Sequence, residues 1–101
     1  MKLSKKQREF TKALTKLQTW MLEQGFEFTL GDAFAKTGHI KGSFHYKRLA
    51  IDLNLFVDDK YQTTTEAHRP IGIQWESLGG TWGGRFRKKD GNHYSWGEER
   101  G

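Results

Sequence analysis

Ser43-Phe44-His45-Tyr46-Lys47-Arg48-Leu49-Ala50-Ile51-Asp52-Leu53-Asn54-Leu55 is the stretch whose reading decides the fold. From Leu49 to Val57 the residues alternate in character, which is the period of a strand. Leu49, Ile51, Leu53 and Leu55 point one way, into a core, while Ala50, Asp52, Asn54 and Phe56 point the other. Asp52 is thereby set mid-strand among apolar neighbours, where an unpaired carboxylate is costly and calls for a cation or strong donors. His45 precedes it in the polar run that feeds the strand, and a turn at Tyr46-Lys47 brings its ring back over the face carrying Asp52. On these residues alone two readings stay open. Either Asp52 pairs with an Arg or Lys and His45 is a surface residue, or the two belong to one site; ion pairs of purely structural purpose imitate functional ones.

Near the C-terminus a second stretch, Asp90-Gly91-Asn92-His93-Tyr94-Ser95, answers the first. Together they supply two imidazoles and two carboxylates. A catalytic zinc needs three protein ligands and one open position, and beside them a base that is not itself a ligand. The two stretches hold that set of parts.

Ser43-x-His45 followed by Leu49-Ala50-x-Asp52 resembles the first zinc motif of the M15 peptidases, the D-alanyl-D-alanine carboxypeptidases and dipeptidases and the phage endolysins that cut L-alanyl-D-glutamate bonds. Asp90-x-x-His93 is similar to their second motif, and the run from Arg48 to Phe56 most resembles a phage-borne branch. The resemblance spans roughly residues 26 to 96. It implies that His45, Asp52 and His93 bind Zn2+, that Asp90 is the catalytic acid/base, and that Ser43, Arg48 and Trp82 face the substrate. Two departures stand out. Many members have Gly where this chain has Arg48. The family also usually carries an Arg before the first motif, and the matching stretch Gly31-Asp32-Ala33-Phe34-Ala35-Lys36 has none. Lys36 or Lys41 offers a point charge there, without the planar fork of Arg.

Composition bounds the rest. A chain of 101 residues is expected to form one domain, 1–101, with an N-terminal helix in 1–25 and a catalytic core in 26–96. So small a domain benefits from a staple. Without cysteine the staple is no disulfide, thiolate zinc sites and a Cys nucleophile are excluded, and a bound metal serves instead. The net charge of +5 favours an anionic partner, whether nucleic acid, anionic lipid or bacterial wall polymer. Met1 to Lys6 is basic but no apolar run follows, so neither a signal peptide nor a transmembrane span is expected.

In chain order, residues 4–24 read as an amphipathic helix. Ser4 and Gln7 have capping-box spacing, Phe10, Ala13, Leu14, Leu17 and Met21 share a face, and Gly25 provides the stop. Its Lys/Arg-rich face is either simply solvated or a docking face. Phe26 to Leu30 reads as a strand and 31–42 as a loop with a short helical turn near Asp32; His39 within it is either a rival ligand or, the reading preferred, a loop histidine that hydrogen-bonds. Asp58-Asp59-Lys60 reads as a turn, Tyr61 to Thr65 as a short strand or extended loop, and Glu66 to Pro70 as a polar connection with His68 at the surface. Ile71 to Trp75 reads as a strand or the end of a short helix. The glycines of Gly79-Gly80-Thr81-Trp82-Gly83-Gly84 lack the Gly-Lys-Ser/Thr ending of a phosphate loop and suit a loop whose backbone approaches a ligand closely. Trp82 either stacks on substrate or closes this loop over the core. Arg87-Lys88-Lys89 reads as a strand end entering a tight Asp90-Gly91 hairpin, His93 to Trp96 as a last strand, and 97–101 as a frayed tail.

The expected architecture is α+β, a helix on a small, mostly antiparallel sheet, which agrees with the Hedgehog/DD-peptidase-like fold that the resemblance implies. The function it implies is a zinc peptidase acting on peptidoglycan stem peptides (L-Ala-D-Glu or D-Ala-D-Ala), a monomeric phage lysis enzyme that accumulates in the host cytoplasm and reaches the wall after release. Two alternatives are an inactive member of the zinc fold and a basic nucleic-acid-binding module that uses the helix for phosphates and Trp82, Tyr94 or Trp96 for stacking. The last leaves His45, Asp52, Asp90 and His93 unexplained.

Overall fold

The strand foreseen around Asp52 is the centre of the sheet. The computed structural model describes residues 2–33 and 44–97. In chain order these form α1 (Lys2–Glu23), β1 (Glu27–Leu30), a 3-10 turn (Phe44–Lys47), β2 (Ala50–Val57), β3 (Lys60–Tyr61), α2 (Thr65–Ser77), β4 (Thr81–Trp82), a second 3-10 turn (Gly83–Arg85) and β5 (His93–Ser95). All strand pairings are antiparallel, in the order β1-β2-β5-β4, with β3 paired to β2. The architecture is α+β, an open antiparallel sheet of five strands with an N-terminal helix and a second helix.

β2 uses its two edges differently. One edge pairs with β1 from Leu30↔Leu53 to Glu27↔Phe56. The other takes β5 at Ala50–Asp52 and then β3 at Phe56–Val57. The β2–β3 hairpin closes through Asp58 and Asp59, both at positive φ (51° and 64°). That is the two-residue primed turn whose twist matches the flanking strands.

The alternation in β2 sorts as read. Leu49, Ile51, Leu53 and Leu55 are buried with Phe10, Ala13, Leu17 and Met21 of α1 and with Ile71 and Trp75 of α2, while Asp52, Asn54 and Phe56 are half-buried on the opposite face. Each fully buried side chain of this kind contributes roughly 1.5–3 kcal/mol relative to exposure. Phe10 and Trp75 meet edge to face at 6.0 Å, which ties the two helices together.

Three readings need correcting. α1 begins at Lys2, so Ser4 is inside the helix and caps nothing; Gln7 instead donates from Nε2 to the Lys47 carbonyl at 2.9 Å, linking α1 to the 3-10 turn before β2. The end of α1 is as read: Gly25 has φ 85°, and Phe26 N–H and Gly25 N–H bond back to the carbonyls of Met21 and Leu22, a Schellman closure. Second, Glu66 to Pro70 is no connection; together with Ile71 to Trp75, where the helical alternative is the one that holds, it makes most of the 13-residue α2, capped by Thr64, whose hydroxyl accepts from Ala67 N–H. His68, Ile71, Gly72 and Trp75 form its buried stripe at helical spacing, so His68 is inside, 2 % exposed, rather than at the surface. Pro70 lies within the helix and removes one donor without ending it. Third, Arg87–Lys89 is not strand, and Asp90-Gly91 is no two-residue hairpin. A turn over 90–93 leads into β5 instead, closed by His93 N–H to the Asp90 carbonyl at 3.1 Å. The expected turn around Asp32 to Lys36 and the tail from 98 onward lie outside the described residues or mostly so.

Candidate metal centre

Asp52 and His93 are brought together by strand register. They face each other directly across the β2–β5 pair. Asp52 spends both backbone groups on the far edge, its N–H on the Asp32 carbonyl and its carbonyl on Gly31 N–H. Toward β5 it is therefore a non-hydrogen-bonded partner of His93, the kind of pair whose side chains approach most closely. His45 arrives from the 3-10 turn. Leu49 N–H bonds to the Phe44 carbonyl and Arg48 N–H to the His45 carbonyl, so the chain folds back before entering β2 and lays the imidazole over Asp52.

Three atoms converge. His45 Nε2 lies 3.1 Å from Asp52 Oδ1 and 3.1 Å from His93 Nδ1, and His93 Nδ1 lies 3.7 Å from Asp52 Oδ1. Both imidazoles are almost wholly buried, and Asp52 is partly so. Burial pushes the Asp52 carboxyl up, but hydrogen bonds and the charges of His45 and His93 outweigh it and bring it down to about 2.

The donor set and spacing fit a metal. Ligands about 2.0–2.2 Å from a tetrahedral zinc stand roughly 3.3–3.6 Å from one another; the separations of 3.1, 3.1 and 3.7 Å fall just either side of that range. Two ring nitrogens and a carboxylate oxygen converge on one point, an arrangement that shared protons or a single cation can hold. Three ligands from one side leave the further position that a catalytic site requires. Among the described residues His45, Asp52 and His93 form a group able to hold an ion.

Asp90 stands beside this group. Its Oδ2 is 3.9 Å from His93 Nδ1, and its side chain is 53 % exposed. The carboxylate is next to the converging atoms. What holds it is backbone: Asp90 N–H donates to the Gly83 carbonyl at 2.9 Å. A Cβ on Gly83 would fall 2.2 Å from the Asp90 carbonyl oxygen and 2.8 Å from His93 Cβ. The close approach that Gly83 makes is to the 90–93 turn of the protein itself, where the sequence points to a ligand. The ring of Phe86 lies 5.4 Å from that of His93 and backs it.

The other residues singled out from the sequence are dispersed. Ser43, His39, Lys36 and Lys41 lie outside the described residues. Arg48 is exposed at φ 57°, a backbone region that suits glycine. Of the two roles weighed for Trp82, closing the loop over the core is the one that fits. It is 0 % exposed, donates its indole N–H to the Gly91 carbonyl at 2.7 Å, and is flanked by the guanidinium groups of Arg69 and Arg85 at 5.4 and 5.5 Å. A fully buried indole presents no face to a substrate, so it supports the 90–93 turn from beneath. His68 is the residue that sequence reasoning missed. Its Nδ1 meets the Tyr94 hydroxyl at 2.9 Å, directly after His93 in the chain. The signal that would have found it is the helical spacing it shares with Ile71 and Trp75.

No curated protein matches the chain. Residues 36–96, more than half of it, match the profile of the peptidase family described as D-alanyl-D-alanine carboxypeptidase, and that segment contains His45, Asp52, Asp90 and His93. With a His-Asp-His cluster, a neighbouring carboxylate and this profile in one segment, the chain belongs to the M15 peptidases.

Proposed function

We propose that the protein is a zinc-dependent peptidase that hydrolyses a peptide bond in the stem peptides of bacterial peptidoglycan, either L-Ala-D-Glu or D-Ala-D-Ala, in the manner of a phage endolysin. The observation that carries the reading is the convergence of His45 Nε2, Asp52 Oδ1 and His93 Nδ1 with Asp90 alongside. In this reading His45, Asp52 and His93 hold the zinc. Bound there, zinc supplies Lewis acidity toward a carbonyl and makes water more acidic. The remaining work falls to side chains. Asp90 accepts a proton from the attacking water and returns it to the leaving amine, the ordinary duty of a general base and then acid. Burial of both imidazoles fixes the geometry, and Phe86 backs His93. Arg48, exposed where the chain enters β2, and Ser43, in the first motif, are assigned to the substrate side.

The net charge of +5 supports an anionic polymer as the surroundings of the substrate. The reading has a monomer acting on the wall after release from the host cytoplasm; no helix among the described residues is long and apolar enough to cross a membrane. Purified peptidoglycan incubated with the zinc-loaded protein and analysed by mass spectrometry tests it. New amino termini at D-Glu, or loss of terminal D-Ala, is the expected result. Unchanged muropeptides with zinc bound would refute it.

A further inference from the structure

A pocket of about 240 Å³ adjoins the metal centre and has no part in the chemistry above. Thr64 and Thr65 at the amino end of α2, His68, and Lys89, Asp90 and Asn92 of the turn before β5 line it. Asp90 is shared: it lines the pocket and also lies 3.9 Å from His93. Whatever occupies the pocket is therefore next to the bond that Asp90 would serve.

His68 shows what the pocket takes. The ring is 2 % exposed, and its Nδ1 is engaged by Tyr94. The Tyr94 hydroxyl has no other partner among the described residues, so its hydrogen goes to Nδ1 and it acts as the donor of that bond. The neutral ring then carries its own hydrogen on Nε2. Nε2 has no hydrogen-bond partner among the described residues and is the polar atom this buried ring offers to the pocket. Two further donor groups stand with it. Lys89 is a cation, and the first N–H groups of the 13-residue α2 give the positive end of a helix dipole. Asp90 is the opposing charge, offset by Lys89 beside it. A carboxylate is a pure acceptor and matches such a lining better than a group that must also donate.

We propose that this pocket is a subsite for a carboxylate of the substrate peptide, bound by His68 Nε2–H, Lys89 and the amino end of α2. The proposal rests on the peptidase reading and adds to it a specificity that the metal ligands do not provide. Two carboxylates of a stem peptide could fill it, the terminal carboxyl and the free carboxyl of the Glu residue.

The test uses zinc-loaded protein and three synthetic stem peptides: the free acid, the peptide amidated at its terminus, and the peptide amidated at the Glu carboxyl. One amide is expected to lose on the order of 10- to 100-fold in kcat/KM, mainly through KM, as charge-assisted hydrogen bonds are lost. Which of the two loses identifies the carboxylate. Lys89→Gln and His68→Phe should each shrink the acid-to-amide ratio toward one. Lys89 is exposed, so its variant reads the pocket even where loss of the buried imidazole disturbs folding. Equal kcat/KM for the acid and both amides, or a preference that survives Lys89→Gln and His68→Phe, overturns the subsite while leaving the peptidase reading intact. No cleavage of any of the three by zinc-loaded wild type overturns that reading and the subsite with it.

Discussion

Asp52 and His93 sit directly opposite each other on β2 and β5, a non-hydrogen-bonded pair whose side chains share one face of the sheet. The candidate metal centre is thus built on paired strands, with only His45 supplied from a turn. A site held this way is positioned by register, and a slip of one residue would put Asp52 on the core face.

Asp90 is expected to act without binding the ion. Asp90→Ala removes a carboxylate 3.9 Å from His93 Nδ1 but none of the three converging donors. The variant should fold and keep its KM within a few-fold, with kcat lower by on the order of 10²–10⁴, the usual worth of general acid–base catalysis. Steady-state kinetics on peptidoglycan fragments check this. Wild-type kcat would place the base elsewhere.

Metal should stabilise the fold. A 101-residue chain without disulfides has a modest core, and a ligand bound by the native state alone adds RT ln(1 + [L]/Kd), about 2.7 kcal/mol at a hundredfold excess over Kd. Thermal melts with chelator and with added zinc should therefore differ by roughly 10 °C or more, since about 1 kcal/mol moves the midpoint of so small a domain by about 4–8 °C.

Arg48 at φ 57° carries backbone strain that glycine relieves. Arg48→Gly should raise stability by roughly 1 kcal/mol, at the low end of what such a conformation costs. If the side chain also contacts substrate, KM rises in the same variant. Denaturant melts and kinetics separate the two effects, and a destabilised variant would show that the contacts of Arg48 outweigh its strain.

His68 makes stability depend on pH in a set direction. Burial lowers its pKa from 6.5, so as pH falls through 6.5 the unfolded chain takes up a proton that the folded one resists. The folded state then loses stability toward acid. In melts from pH 8 to 5.5 the wild type should lose more than His68→Gln, and equal losses would count against a neutral buried ring.

Much of this was legible in the residues. Leu49 to Val57 alternates so regularly that β2, its core face and the odd placement of Asp52 could be read directly, and the apolar stripe of α1 was equally plain. Helix α2 was not. Ile71-Gly72-Ile73-Gln74-Trp75 alternates like a strand, yet Ile73 is exposed and contributes nothing to the core. Pro70 costs α2 a single donor, and a Cβ on Gly72 would fall 2.1 Å from the Trp82 ring. For Trp82 the sequence leaves stacking on substrate and closing the loop both open; its buried indole takes the second role and lies where a Cβ on Gly72 or Gly84 would fall. The Asp52–His93 register rests on pairing between strands distant in sequence, which no local pattern encodes.

The most direct test of the central claim is the zinc content of purified wild type, His45→Ala, His93→Ala and Asp90→Ala after equilibration with limiting metal. The account expects one zinc per chain in the wild type and in Asp90→Ala, and essentially none in His45→Ala or His93→Ala. Full occupancy in both histidine variants, or loss of zinc in Asp90→Ala alone, would contradict it.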